Sequence, residues 1–156
     1  MQRVENPQLW RRYCLAKEKV AGALSGPINP PVRASCPMID FTRNEYWLWH
    51  GTRYSNIDAI LKEGLDEHLS RMEGLYGAGI YFSDEACKAL QYSDRGPHYL
   101  LFCRVVLGKP YYTKNTLPSM RSLKELKSRP GLLEKLDNEA VVKLFCFRNR
   151  SIVYHV

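Results

Sequence analysis

Residues 45–52 read Glu45-Tyr46-Trp47-Leu48-Trp49-His50-Gly51-Thr52, and the alternation along them decides the fold. As a strand, the segment Glu45 to His50 carries Tyr46, Leu48 and His50 on one face and Trp47 and Trp49 on the other. Both faces are apolar, so both should be covered by other elements. The run closes on His50-Gly51-Thr52. A glycine weakens a strand and marks either an ordinary strand end or the close approach of a ligand to the backbone.

Upstream, Asn6 can cap a helix with Pro7 at its first position, and Leu9, Tyr13, Ala16 and Val20 recur at helical spacing through a segment ending near Leu24. From Ser25 to Thr42 the chain carries Pro27, Pro30, Pro31 and Pro37, which remove backbone donors and predict a long irregular loop. Downstream, Ser55 and Asp58 have capping-box spacing ahead of Ile57, Ile60 and Leu61, and Gly64 can end that helix in a left-handed conformation.

Next, Gly79 to Phe82 reads as a strand, Ser83 or Asp84 to Tyr92 as a helix, and Tyr99 to Leu107 as a strong strand. Lys109 to Asp137 is a long connection with a helical turn around Leu123 to Leu126. Glu139 to Phe147 and Ser151 to Val156 read as a closing antiparallel pair. Helices and strands in this order give an α+β pattern and not a regularly alternating one.

With 156 residues, 45% of them hydrophobic, the chain is expected to form a single domain over 1–156 with a core sufficient without metal or disulfide. Its apolar runs are far shorter than the ~20 residues of a membrane helix, and Met1 to Trp10 lacks the apolar centre of a secretory signal, so neither membrane nor export is expected. Five cysteines, odd in number and without a Cys-x-x-Cys pair, fit reduced thiols in the cytoplasm or nucleus. The four histidines show no ligand spacing, and no metal site is expected. The net charge of +7 is spread along the chain without a stripe of interleaved aromatics, which reads as a solvated surface before a nucleic-acid footprint.

Two further stretches stand out beside His50-Gly51-Thr52. In Tyr76-Gly77-Ala78-Gly79-Ile80-Tyr81-Phe82 a glycine-relieved backbone delivers Tyr81 and Phe82 onto a strand. In Asn138-Glu139-Ala140-Val141-Val142 a carboxylate heads an apolar strand. The glycines of residues 74–79 have the wrong offsets for a Rossmann site, and no P-loop is present.

Taken in order, these three stretches resemble the catalytic domain of the poly(ADP-ribose) polymerase family, the ADP-ribosyltransferases related to diphtheria toxin. His50-Gly51-Thr52 is similar to that family's His-Gly-Ser/Thr strand, Tyr81 falls in its Gly-x-Gly-Ile-Tyr-Phe strand, and Glu139 in its Asn-Glu-x-Val-Val strand. Residues 64–67, 77–82 and 101–105 read most like the tankyrase branch. The resemblance implies a split antiparallel β-sandwich with flanking helices. It also implies NAD as co-substrate, and transfer of ADP-ribose, singly or as a short or longer chain, to protein acceptors, the chain itself among them, with nicotinamide released. A monomer suffices for that.

In the roles the resemblance implies, His50, Tyr81 and Glu139 form the catalytic triad, with Glu139 on the nicotinamide ribose and His50 on the adenosine ribose. Gly51 offers its backbone to the carboxamide, Tyr81 and Tyr92 sandwich the nicotinamide ring, and Thr52 and Asp66 lie toward the adenosine end. Departures accompany the matches. Ala89 stands where the family usually has Ser, Asp137 and Ala140 replace common tyrosines, and only Asp94 to His98 occupies the place of the tankyrase zinc-binding cysteines. A catalytically idle NAD- or ADP-ribose-binding domain, or a transferase acting on nucleic acid, are the alternatives.

Overall fold

The computed structural model describes residues 3–22, 38–43, 45–70, 74, 76–95, 99–107, 145–146 and 153–155. Helix α1 (Pro7–Gly22) begins as its sequence demands: the Asn6 carboxamide oxygen accepts the N–H groups of Gln8 and Leu9 at 3.2 and 3.1 Å, the bonds of a helix N-cap. Its Leu9, Tyr13 and Val20 are buried.

The centre of the molecule is an antiparallel pair, β2 (Glu45–Gly51) and β4 (Leu100–Val106), in the register Glu45 to Val106 through Gly51 to Leu100. That register places Tyr46 beside Val105 and Leu48 beside Cys103, and all four are buried in one cluster with Phe82 and Leu107. Burial of each such aliphatic side chain is worth about 1.5–3 kcal/mol. The opposite face carries Trp47, Trp49, Phe102 and Arg104, with the Phe102 ring 5.0 Å from Trp47 and 4.3 Å from Trp49. Strands β1 (Met38–Asp40) and β6 (Val153–His155) complete a four-stranded sheet in the order β1-β2-β4-β6. A second sheet pairs β3 (Ile80–Tyr81) with β5 (Phe145–Cys146).

Several expectations are corrected. The prolines end at Pro37, and directly after them Met38–Asp40 forms an edge strand within the expected loop. Helix α2 (Tyr54–Glu63) starts before Ser55, so the Ser55/Asp58 capping box does not form; Arg53 occupies the N-cap position without a side-chain bond. Gly64 does close α2, at φ 91°, with its N–H on the Ile60 carbonyl at 2.8 Å. Helix α3 (Ala86–Leu90) is shorter than expected because the Ser83 backbone is committed to Trp49 and only the Ser83 hydroxyl reaches forward, accepting the Glu85 N–H at 3.0 Å. Among the described residues the last two strands do not pair with each other: β5 joins β3 and β6 joins β4, in separate sheets. The connection from Lys109 to Asp137 and the strand head at Glu139 lie outside the described residues. Among the described residues no helix is long and apolar enough to cross a membrane.

One polar group crosses the layers. Glu45 is fully buried on the tryptophan face of β2. It accepts hydrogen bonds from Tyr13 Oη and Lys17 Nζ of α1, each at 2.5 Å, and from Arg104 of β4 through Nε at 2.9 Å and Nη2 at 2.7 Å. The Arg104 guanidinium also stands over Trp10, 5.2 Å from its centroid, and Trp47, 5.8 Å away. Burial works against the Glu45 charge, but Lys17, Tyr13 and Arg104 together outweigh it and hold the carboxyl below its ordinary value.

A Glu45→Gln variant keeps the size and loses the charge that Lys17 and Arg104 surround. It should unfold about 3 kcal/mol more easily near neutral pH, since breaking a buried ion cluster costs several kcal/mol. A carboxyl depressed in the folded state contributes stability above its unfolded value of about 4.3 and loses it as pH falls through the folded value. The gap between wild type and variant, read as denaturant midpoints, should therefore narrow as pH falls below that value.

Candidate functional site

The site is built where the two sheets touch. Trp49 and Ser83 form a two-way backbone pair, Trp49 N–H to Ser83 O at 2.7 Å and Ser83 N–H to Trp49 O at 2.9 Å, and this pairing is a single bridge. His50 follows Trp49 directly and Tyr81 precedes Ser83 by two residues, so the bridge brings them together. Nδ1 of His50 lies 2.8 Å from the Tyr81 carbonyl oxygen, and the imidazole sits 5.5 Å from the Phe82 ring.

A carbonyl can only accept, so Nδ1 carries the proton. Burial pushes the imidazole below its usual pKa, against a smaller opposing effect of the Tyr81 carbonyl. At neutral pH the ring is then the neutral tautomer with an acceptor at Nε2.

Gly51 continues the face of Glu45, Trp47 and Trp49. A Cβ there would collide with the carbonyl of Ala89 and stand 3.4 Å from Cβ of Tyr92. The missing side chain lets α3 lie directly on the strand end. Backbone direction adds a second point. In an antiparallel ladder, successive residues turn their N–H and C=O to opposite edges. Those of Trp49 face Ser83, and those of Gly51 therefore face the same edge, one step beyond the pairing with Ser83.

Tyr81 is fixed by its hydroxyl, which donates to the Gly77 carbonyl at 2.5 Å and accepts the Tyr76 N–H at 3.3 Å. Gly77 takes φ 80°, and a Cβ on Gly74 would strike the Tyr81 hydroxyl, so Gly74 and Gly77 serve the placement of this phenol. Burial raises the Tyr81 pKa against the opposing effect of the Tyr76 N–H on its hydroxyl, and the nearby Tyr92 and Tyr76 phenols add smaller upward effects. Tyr92 lies in the turn after α3, half-exposed at 51%, with its N–H on the Ala89 carbonyl at 3.1 Å.

Of the remaining expected residues, Thr52 is buried and its hydroxyl accepts the Asn56 carboxamide N–H at 3.1 Å. Asp66 is exposed and holds the 3-10 turn Glu67–Leu69, accepting the His68 N–H at 2.9 Å and lying 2.8 Å from Nδ1 of that ring. The structure thus brings His50, Gly51, Tyr81 and Tyr92 together and sets Thr52 just before α2, tied to its first turn by Asn56, while Asp66 is occupied locally. Glu139 lies outside the described residues. Sequence reasoning did not reach Ser83, which acts through its backbone, or Asp94, whose Oδ2 accepts the Tyr54 N–H at 2.7 Å from 40 residues away.

Comparison with known proteins covers the stretch of chain that holds these residues. Residues 1–142 match the family described as Poly(ADP-ribose) polymerase catalytic domain. The chain is 40% identical over 81 residues to the Poly [ADP-ribose] polymerase tankyrase of Caenorhabditis elegans, covering 48% of this chain and 4% of that protein. It is 33% identical over 119 residues to Poly [ADP-ribose] polymerase 2 of Zea mays, covering 65% and 18%. To the Protein mono-ADP-ribosyltransferase PARP3 of Homo sapiens it is 34% identical over 85 residues, covering 51% and 16%. The chain therefore spans less than a fifth of each of these relatives.

The close seat of α3 on Gly51 gives a direct test. Gly51→Ala should cost about 1–3 kcal/mol of stability, the usual penalty of overpacking, and should shift the amide signals of Ala89 and Tyr92 in a heteronuclear NMR spectrum. Unchanged signals there would mean that α3 does not rest on Gly51.

Proposed function

The chain belongs to the poly(ADP-ribose) polymerase catalytic-domain family, and from that premise we propose that it transfers ADP-ribose from NAD to protein acceptors and releases nicotinamide. The observation that carries this reading is the Gly51 edge. A carboxamide has one acceptor and two donors, so it can pair with the N–H and C=O of Gly51 as a neighbouring strand would, on the edge that Ser83 leaves after Trp49. A nicotinamide held there has its ring beside Tyr81 and Tyr92, whose faces supply about 0.5–1.5 kcal/mol per aromatic pair. The neutral His50, with its acceptor at Nε2, suits a ribose hydroxyl. Thr52 lies toward the adenosine end, and Asp66 belongs to the segment that covers it.

In the reaction the bond between ribose C1′ and the nicotinamide nitrogen breaks, with the electron pair leaving on nicotinamide. Positive charge develops on the ribose, as in glycoside cleavage. Glu139 provides the anion, bonds the ribose hydroxyl and orients the acceptor, whose nucleophilic atom bonds to C1′ and loses its proton. Relatives are named for both polymer and single transfer; this reading is transfer of one unit or a short chain, with Asp137 and Ala140 on the acceptor side. The domain occupies 1–156 as one unit on the split β-sandwich, whose two halves correspond to the two described sheets. It acts as a monomer in the reducing cytoplasm or nucleus.

Incubation with labelled NAD, followed by gel mobility and mass spectrometry, distinguishes no transfer, single transfer and polymer. Glu139→Gln should lower kcat about 100-fold or more while NAD still binds, the scale of losing one preorganised electrostatic partner; full transfer by this variant would overturn the assignment. Ala89→Ser, which restores the hydroxyl usual in the family, should lower KM for NAD by up to about tenfold, the worth of one neutral hydrogen bond. An unchanged KM would remove that hydroxyl from the account.

A further inference from the structure

The N-terminus of α2 is capped from elsewhere in the chain. Arg53 makes no side-chain cap bond, and the Tyr54 N–H is met by Oδ2 of Asp94 at 2.7 Å. A carboxylate at this end faces the positive end of the helix dipole, and its bond to the N–H is charge-assisted.

What the bond joins matters more than the cap itself. On one side, Asp94 stands two residues after Tyr92. That turn folds back on α3 through Tyr92 N–H to Ala89 O and Ser93 N–H to Leu90 O, both at 3.1 Å. On the other side, Tyr54 stands two residues after Thr52, which is tied into the same first turn of α2 by Asn56. The Tyr54 and Tyr99 rings pack at 5.0 Å over the joint. Among the described residues the Tyr92 phenol has no hydrogen-bond partner, so the ring goes where the backbone of its turn is held.

From this juxtaposition we infer that Asp94 is a positioning residue: by binding the Tyr54 N–H it fastens the Tyr92 turn to the Thr52 turn and so fixes the two flanks of the His50-Gly51 site around a dinucleotide. This role rests on the NAD reading above. Asp94 touches no reacting atom. Its contribution is to binding, through the placement of Tyr92 over the edge at Gly51.

Two substitutions of Asp94 and one of its partner test the role. Asp94→Ala removes the acceptor, whereas Asp94→Asn keeps an amide oxygen that can take the same N–H. Tyr54→Pro leaves Asp94 intact and removes the donor, at a first-turn position that proline tolerates, so it serves if Asp94→Ala folds poorly. KM and kcat for NAD, and the Kd of nicotinamide by calorimetry, are measured well below each melting temperature. Asp94→Ala and Tyr54→Pro should raise KM and Kd about fivefold, the scale of a lost cap, with kcat changed less than about twofold. Asp94→Asn should stay within about twofold of wild type in all three. A lower melting temperature with unchanged KM and Kd would reduce Asp94 to a helix cap and overturn the role, as would equal losses in Asp94→Ala and Asp94→Asn. A wild-type chain that neither binds nicotinamide nor turns over NAD overturns the NAD reading and this role together; binding in wild type with insensitive variants removes only the role of Asp94.

Discussion

The backbone pair between Trp49 and Ser83 is the constraint on which the site depends. Among the described residues it is the one isolated bridge, joining the four-stranded sheet to the chain just after β3 of the two-stranded sheet, and it sets which residues meet. A slip of one residue would send every side chain on one strand to the other face. His50 would leave Phe82 and the Tyr81 carbonyl, and the Gly51 backbone would turn toward β4 instead of the open edge. Buried side chains on both strands oppose such a slip: Leu48 lies in the core on one side of the bridge and Phe82 on the other.

The far end of the same strand is held by charge. Glu45 gathers Tyr13 and Lys17 from α1 and Arg104 from β4, and Lys17 also lies 3.6 Å from Asp40 at the end of β1. An ion cluster of this kind contributes little net energy relative to a well-packed apolar substitute. It has directional demands that apolar packing lacks. Tyr13 and Lys17 are one helical turn apart on the same face, so both can reach Glu45 only when α1 presents that face to β2. The cluster thus fixes the rotation of α1, while the aromatic stack of Trp47, Phe102 and Trp49 fills the distance between it and the bridge.

Elements with local causes were legible in the sequence. Asn6 before Pro7, Gly64 after the apolar positions of α2, and the alternation of Tyr46 and Leu48 each act within a few residues, and each took the place expected of it. His50, Gly51 and Tyr81 were legible as a group because their motifs carry them, and the fold brings them together. What could not be read depended on partners distant in the chain. The cap of α2 comes from Asp94, which no spacing near Tyr54 announces. The split of the final strands between two sheets depends on which edges are open, and Cys146 and His155 reach Ile80 and Cys103 respectively. Nothing near Glu45 in the sequence announces its burial, which depends on the approach of α1 and of Arg104.

Gly51 shows how a packing demand and the proposed ligand demand can fall on one residue without conflict. The position of its absent Cβ is taken by the Ala89 carbonyl, and that alone disfavours every side chain. A ligand therefore need not be invoked to explain why glycine stands there. The N–H and C=O lie in the plane of the sheet, roughly perpendicular to the Cα–Cβ direction, so the helix that fills the one direction leaves the other open. Seating α3 on the strand end also brings Tyr92 to the same edge, within 3.4 Å of the missing Cβ at its own Cβ. A larger residue at position 51 would push that wall away even if its backbone stayed in register. The glycine thus acts on the edge through α3: the closeness of the helix, more than the freedom of the glycine backbone, gives the edge its aromatic wall.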